Sequence, residues 1–270
     1  FARLIFHRKL NHYNDEREAF ERRKSALLDV IDYYTDVNSL LKSSDREKYA
    51  NRGDWSFGDV GDEGTYIWGN IGKEKSEENT IRDENIEGFR TEDRPDNDVA
   101  FFVIDIEKSI IAYEHRRNVG SKAPVRIIES VFNVFHQGQE ELASSVLVNK
   151  HEVQREVSEL EKITGLRFVN LHPTNPDSTN HSQDMDEFLR EGGIEKMTIE
   201  AEGEDGIELK NTPLLNSGLG LAEEGYGSAR LTGNEADGER RIVRTDGSPI
   251  TSNITEGVSE ATKKRRLIEE

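Results

Sequence analysis

Between Val99 and His115 the chain reads VAFFVIDIEKSIIAYEH. Two short runs rich in β-branched and aromatic residues flank a polar step at Glu107 to Ser109. That pattern predicts a β-hairpin formed by residues 99–105 and 110–115. It also commits the chain to sheet structure, around which the other elements must be arranged.

The opening residues Phe1 to His7 alternate weakly and read as a first strand. Over 15–42, apolar side chains at Phe20, Leu27, Val30 or Ile31, Tyr34, Val37 and Leu41 share one face of a helix. The stretch NRGDWSFGDVGDEG over 51–64 has the chemistry of turns, and 65–71 reads as a strand after it. Fifteen of the 26 residues over 73–98 are charged and lack apolar periodicity, which predicts an exposed, mobile loop.

Beyond the hairpin, Pro124 begins a helix carrying Ile127, Ile128, Val131, Phe132 and Phe135 and ending near Gly138. A strand at 146–148, a helix marked by Val153, Val157, Leu160 and Ile163, and a strand at 166–171 follow. Further on, helices are expected at 185–189 and 213–222, strands at 197–201, 226–232 and 240–244, and a short helix at 256–268. The expected class is α/β in the mixed α+β sense. It takes the form of a ferredoxin-like sandwich with mostly antiparallel hairpins and additional C-terminal strands. In linear terms, 1–72 is a strand-helix-strand segment packing on the core, 73–98 the charged loop, 99–245 the core and 246–270 a polar tail.

Composition narrows the function classes. Asp and Glu number 54 against 36 Lys and Arg, a net charge of −18, and the basic residues divide into 22 Arg and 14 Lys. Such an excess disfavours uniform binding to nucleic-acid backbones and anionic lipid. With Arg preferred over Lys, it fits a halophilic cytoplasm of molar salt, where screening shortens the reach of charge to roughly 3 Å. Cysteine is absent, so disulfides and thiolate chemistry are excluded. No apolar run is long enough to span a bilayer. The expected location is cytoplasmic, with another protein or a second copy as partner and no membrane.

Candidate sites are few. Pro176-Asp177 followed by Glu208-Leu209-Lys210 has the residue types of a metal-dependent nuclease. In that reading Asp177 and Glu208 would hold Mg²⁺ through oxygen and Lys210 would position the attacking water; otherwise no cofactor is expected. The competing reading is a turn and a surface charge, which arise readily among 54 carboxylates. Asp105, Glu107 and Glu114 group around the hairpin turn, where a solvated turn is the simpler account. The seven histidines, His172 and His181 among them, have no metal-ligand spacing. Gly218-x-Gly220 lacks the preceding strand of a dinucleotide loop. Lys263, Lys264, Arg265 and Arg266 form the only concentrated basic run, a phosphate contact if joined by Arg116 and Arg117, and otherwise a solvated tail.

Several segments taken together, FARLIF at the start, FFVIDIEKSIIAYE, ESVFNVFHQG, LRFVNLHPTNPD and GYGSARLTG, resemble an uncharacterised prokaryotic domain of unknown function met near phage-defence and mobile-element loci. The resemblance implies a role in antiviral defence and supplies no catalytic residues. The function expected from the sequence is a recognition or interaction component without catalysis of its own, the alternative being the nuclease effector. A structural or assembly protein of a mobile element is a third reading.

Overall fold

The structure is a computed structural model describing residues 1–8, 16–32, 34–45, 54–83, 88–175, 183–253 and 259–269. In chain order its elements are β1 (Ala2–Arg8), α1 (Glu16–Leu28), α2 (Val37–Leu40), β2 (Asp54–Glu63), β3 (Tyr66–Asp83), β4 (Gly88–Asp105), β5 (Ile110–Tyr113), α3 (Ala123–Phe135), β6 (Glu140–Val146) and α4 (Lys150–Ser158). They continue with β7 (Lys162–Leu171), α5 (Gln183–Glu191), β8 (Met197–Glu202), α6 (Pro213–Glu223), β9 (Ser228–Asn234), β10 (Arg240–Arg244) and α7 (Glu260–Glu269). One sheet has the strand order β2-β3-β4-β5-β1-β6 and the other β10-β9-β7-β8. The mixed α+β class with antiparallel sheets is therefore the class observed. The predicted strand-strand-helix-strand-helix-strand succession is present from β4 to β7, distributed over both sheets.

The chain divides into two compact units, each assembled from separated stretches: 1–19, 107–111 and 142–255 in one, 20–106, 112–141 and 256–270 in the other. These limits differ from the linear division read from sequence, because sheet pairing joins strands that are distant along the chain.

In the first unit, α5 and α6 cover one face of the four-stranded sheet. Leu166, Phe168 and Leu171 of β7, Ala229 and Leu231 of β9 and Val243 of β10 meet Met185 and Leu189 of α5 and Leu219, Leu221 and Ala222 of α6 in one buried cluster. Strand alternation makes this layer possible, since every second residue points inward. Gly218 lets α6 approach closely: a Cβ there would lie 2.8 Å from the Phe168 ring and 3.2 Å from the Met185 methyl. The glycines expected to fail as a dinucleotide loop are thus helical residues, one of them used in packing.

In the second unit, three expectations are corrected. The helix predicted over 15–42 stops at Leu28, and α2 begins separately. The Asp32 carboxylate accepts from the Tyr34 N–H at 3.4 Å and the Thr35 N–H bonds to the Asp32 carbonyl at 3.0 Å, local bonds that compete with helix continuation. Asp36 then caps α2 by accepting from the Ser39 N–H at 3.2 Å.

The second correction is that the turn-like run over 51–64 contains β2. Trp55 and Phe57 alternate inward, and the Gly-Asp steps are absorbed by a register shift between Gly58 and Gly61, with Asp59 at φ 49°. Gly64, at φ 67°, turns the chain into β3. The third is that the supposed loop over 73–98 contributes to β3 and β4, paired from Tyr66↔Asp105 to Asp83↔Gly88. Charge density concealed the strands, whose register sets Lys73 opposite Asp98.

The α3 face expected from sequence is buried at Ile127, Ile128, Val131 and Phe132. Ser130 on that helix accepts from the Lys42 N–H at 2.8 Å.

Candidate interaction face

The face of the four-stranded sheet opposite the helices follows from the same alternation. Inward positions on β10, β9 and β7 are Val243, Ala229, Leu231, Leu166 and Phe168. Outward positions are Arg240, Ile242 and Arg244 on β10, Arg230 and Thr232 on β9, and Arg167 on β7. Register aligns them. Arg244 pairs with Arg230 across β10 and β9, and Arg230 pairs with Arg167 across β9 and β7. Glu200 of β8 completes the row beyond Arg167. The next rows hold Ile242 opposite Thr232, and Arg240 opposite Asn234.

Four exposed guanidinium groups therefore share one sheet face in a chain whose net charge is −18. Among the described residues, the side chains of Arg167, Arg230, Arg240 and Arg244 have no hydrogen-bond or ion-pair partner. Other arginines of this unit are engaged. Arg241 reaches Glu159 at 2.5 Å and Glu235 at 2.7 Å, and the hydrogen bonds it donates to these carboxylates, Glu235 first, raise its pKa. Arg190 Nε donates to Asp186 at 2.8 Å. Like charges directly opposite in a sheet are destabilising. Arg244 with Arg230 and Arg230 with Arg167 are such pairs, while Glu200 opposite Arg167 closes the row with the opposite sign.

The sequence-derived candidates lie elsewhere. Asp177 falls outside the described residues, as does His181. Glu208 and Lys210 sit at an exposed 3₁₀ turn over 209–211, where Glu208 accepts a short hydrogen bond from Asn211 and Lys210 has no partner carboxylate among the described residues. The described residues contain no group of three or more His, Asp or Glu suited to a metal ion.

In the second unit Lys263 lies 2.7 Å from Glu114, whose other oxygen is 3.2 Å from Arg116. Lys264 pairs with Glu63 and stands 4.9 Å from the Trp68 ring centroid. These two lysines are tied inward, with side chains only 17 % and 18 % exposed, while Arg265 and Arg266 remain exposed. Of the hairpin carboxylates, Glu114 serves as this anchor, and Glu107 is exposed in the turn. Burial pushes the Glu114 carboxyl up, but the hydrogen bonds from Lys263 and the Phe101 N–H and the charge of Arg116 outweigh it, leaving its pKa below the ordinary value.

The loop HPTN has a structural part to play. Asn175 Nδ2 donates to the Leu4 carbonyl at 2.9 Å and its Oδ1 accepts from the Phe6 N–H at 3.3 Å. Asp186 accepts from the Thr174 N–H at 2.7 Å, and Arg190 donates to the Thr174 hydroxyl at 2.9 Å. His172 bonds to the Glu195 carbonyl at 2.9 Å, its ring 4.7 Å from that of His7.

A family model described as "Domain of unknown function (DUF4747)" matches residues 7–269. The chain belongs to this family. The resemblance to an uncharacterised domain is thereby borne out over nearly the whole length. No curated protein matches the DUF4747 chain. Among its described residues no helix is long and apolar enough to cross a membrane.

The arginine row was missed at the sequence level although part of its signal was legible. RRIVR places Arg240, Ile242 and Arg244 on one side of a strand, and LRF places Arg167 between two inward residues. What the sequence lacked was the register that brings β7 and β10 to either side of β9.

Proposed function

We propose that the DUF4747 chain is a recognition component without catalysis of its own, which engages its partner through the outward face of the β10-β9-β7-β8 sheet. The observation carrying this reading is the registered row Arg244, Arg230 and Arg167, exposed and unpartnered among the described residues. Guanidinium groups left unneutralised by a chain with 54 carboxylates are suited to binding an anionic surface. A cytoplasmic antiviral defence system is the proposed setting, carried by the resemblance of the segments given above. The nuclease reading draws less support, since the Glu208 carboxylate is engaged by Asn211.

The test is a phage challenge of the native host carrying the wild-type chain, an Arg167→Glu/Arg230→Glu/Arg244→Glu variant, or a Glu208→Gln/Lys210→Ala variant. Loss of protection in the first variant alone, with circular dichroism unchanged, is the expected result. Protection that survives the charge reversal and fails in the second variant would replace recognition by cleavage.

A further inference from the structure

We infer that the partner of this sheet face is single-stranded nucleic acid, gripped by its phosphates along Arg244, Arg230 and Arg167. The inference rests on the proposed reading of that face as the working surface and adds the chemistry of what it holds. Adjacent strands lie about 4.8 Å apart, so the row sets three planar donor forks side by side, one for each of three successive phosphates. A carboxylate is satisfied by one such fork, whereas a phosphodiester is followed along its strand by further phosphates. Three successive cations in register match a linear polyanion better than isolated acidic side chains.

Shape selects the single strand. The face is a sheet surface with Thr232, Asn234 and Ile242 beside the arginines, able to meet sugar and base edges. Glu200 and Glu202 line its β8 side. A flexible strand can follow the arginines and stay clear of these carboxylates, while a rigid duplex would bring its second backbone against an acidic body. The face carries no exposed aromatic side chain at the registered outward positions of β7, β9 and β10, so binding is led by phosphate rather than by base stacking, and sequence preference is weak. Net charge argued against nucleic acid at the level of the whole chain, but screening, over roughly 8 Å at 0.15 M salt and roughly 3 Å at molar salt, makes the local field of the row decisive.

The experiment measures fluorescence anisotropy of a labelled 20-nucleotide oligo(dT) with the full chain over a KCl series. The series starts at the lowest salt at which circular dichroism shows an intact fold. With three phosphates neutralised, log K falls with log salt at a slope of about −2, roughly 30-fold weaker binding for a fivefold rise in salt. Arg167→Gln/Arg230→Gln/Arg244→Gln abolishes binding without lowering the melting temperature. Arg230→Gln alone, a variant kept in reserve against misfolding of the triple one, flattens the slope by about 0.7. Equal affinity in the triple variant would overturn the inference. So would equal competition by a 20-residue polyglutamate, which would point to an acidic protein, or by a 20-base-pair duplex. If no oligonucleotide binds while the charge-reversal variant still loses phage protection, the nucleic-acid inference fails and the recognition reading stands.

Discussion

Asn175 holds Leu4 by a buried hydrogen bond of 2.9 Å, and through its other amide atom it holds Phe6. The side chain therefore satisfies two main-chain groups of β1 that no water can reach. Asn175→Ala leaves both without that partner, at about 1–3 kcal/mol for each buried group. Urea denaturation followed by circular dichroism should show a loss of about 2–4 kcal/mol.

Glu223 gives a pH dependence of the opposite kind to the usual carboxylate. Burial raises its pKa, and the hydrogen bond from Gln154 and the charge of Lys150 only partly offset that. A raised folded pKa means that the group's contribution is fully present below the unfolded value and is lost as pH rises through the folded one. At neutral pH the ionised group is a burden, so Glu223→Gln should melt at a higher temperature than wild type. The gap should close as pH falls below the ordinary glutamate range, as thermal melts across pH 3–8 would show.

Glu114 behaves in the reverse sense. Its depressed pKa makes its contribution present above the unfolded value and lost as pH falls through the folded one. Glu114→Gln should lower the melting temperature at pH 7 and become indistinguishable from wild type in acid. Lys263→Met should show the same loss at pH 7 if the anchoring of α7 is the cause, read by protease sensitivity of the C-terminal segment.

At Gly218 a larger side chain meets the Phe168 ring, which the surrounding core holds in place. Gly218→Val should cost about 1–3 kcal/mol by overpacking. Gly218→Ala should cost less, because the gain in helix propensity of about 1 kcal/mol opposes the clash. Chemical denaturation of the two variants side by side tests the order.

The elements that sequence made legible are those with uninterrupted periodicity and clear ends. Val99 to His115, the α3 face from Ile127 to Phe132, and β9 with β10 are examples. The misreadings occurred where charge or glycine overlay a buried pattern. Trp55 and Phe57 face inward although Gly-Asp steps surround them, and the strands through 73–98 are masked by their charge. The helix expected through Leu41 failed for a third reason, since beyond its end at Leu28 the chain is held by local bonds to the Asp32 carboxylate and carbonyl and restarts at the Asp36 cap, which periodicity does not register. For the candidate face the alternation of Arg240 and Arg244 was readable, but the row itself is a tertiary property. It depends on which strands become neighbours and with what offset.

Because Gly218 seats its helix on the inner side of the sheet and the arginines occupy only the outer side, the two surfaces can vary independently. A lineage could exchange the outward residues of β7, β9 and β10 one at a time, retuning or replacing its target, while the packed layer beneath tolerates each step. On such a scaffold, change of the exposed surface is separable from loss of folding.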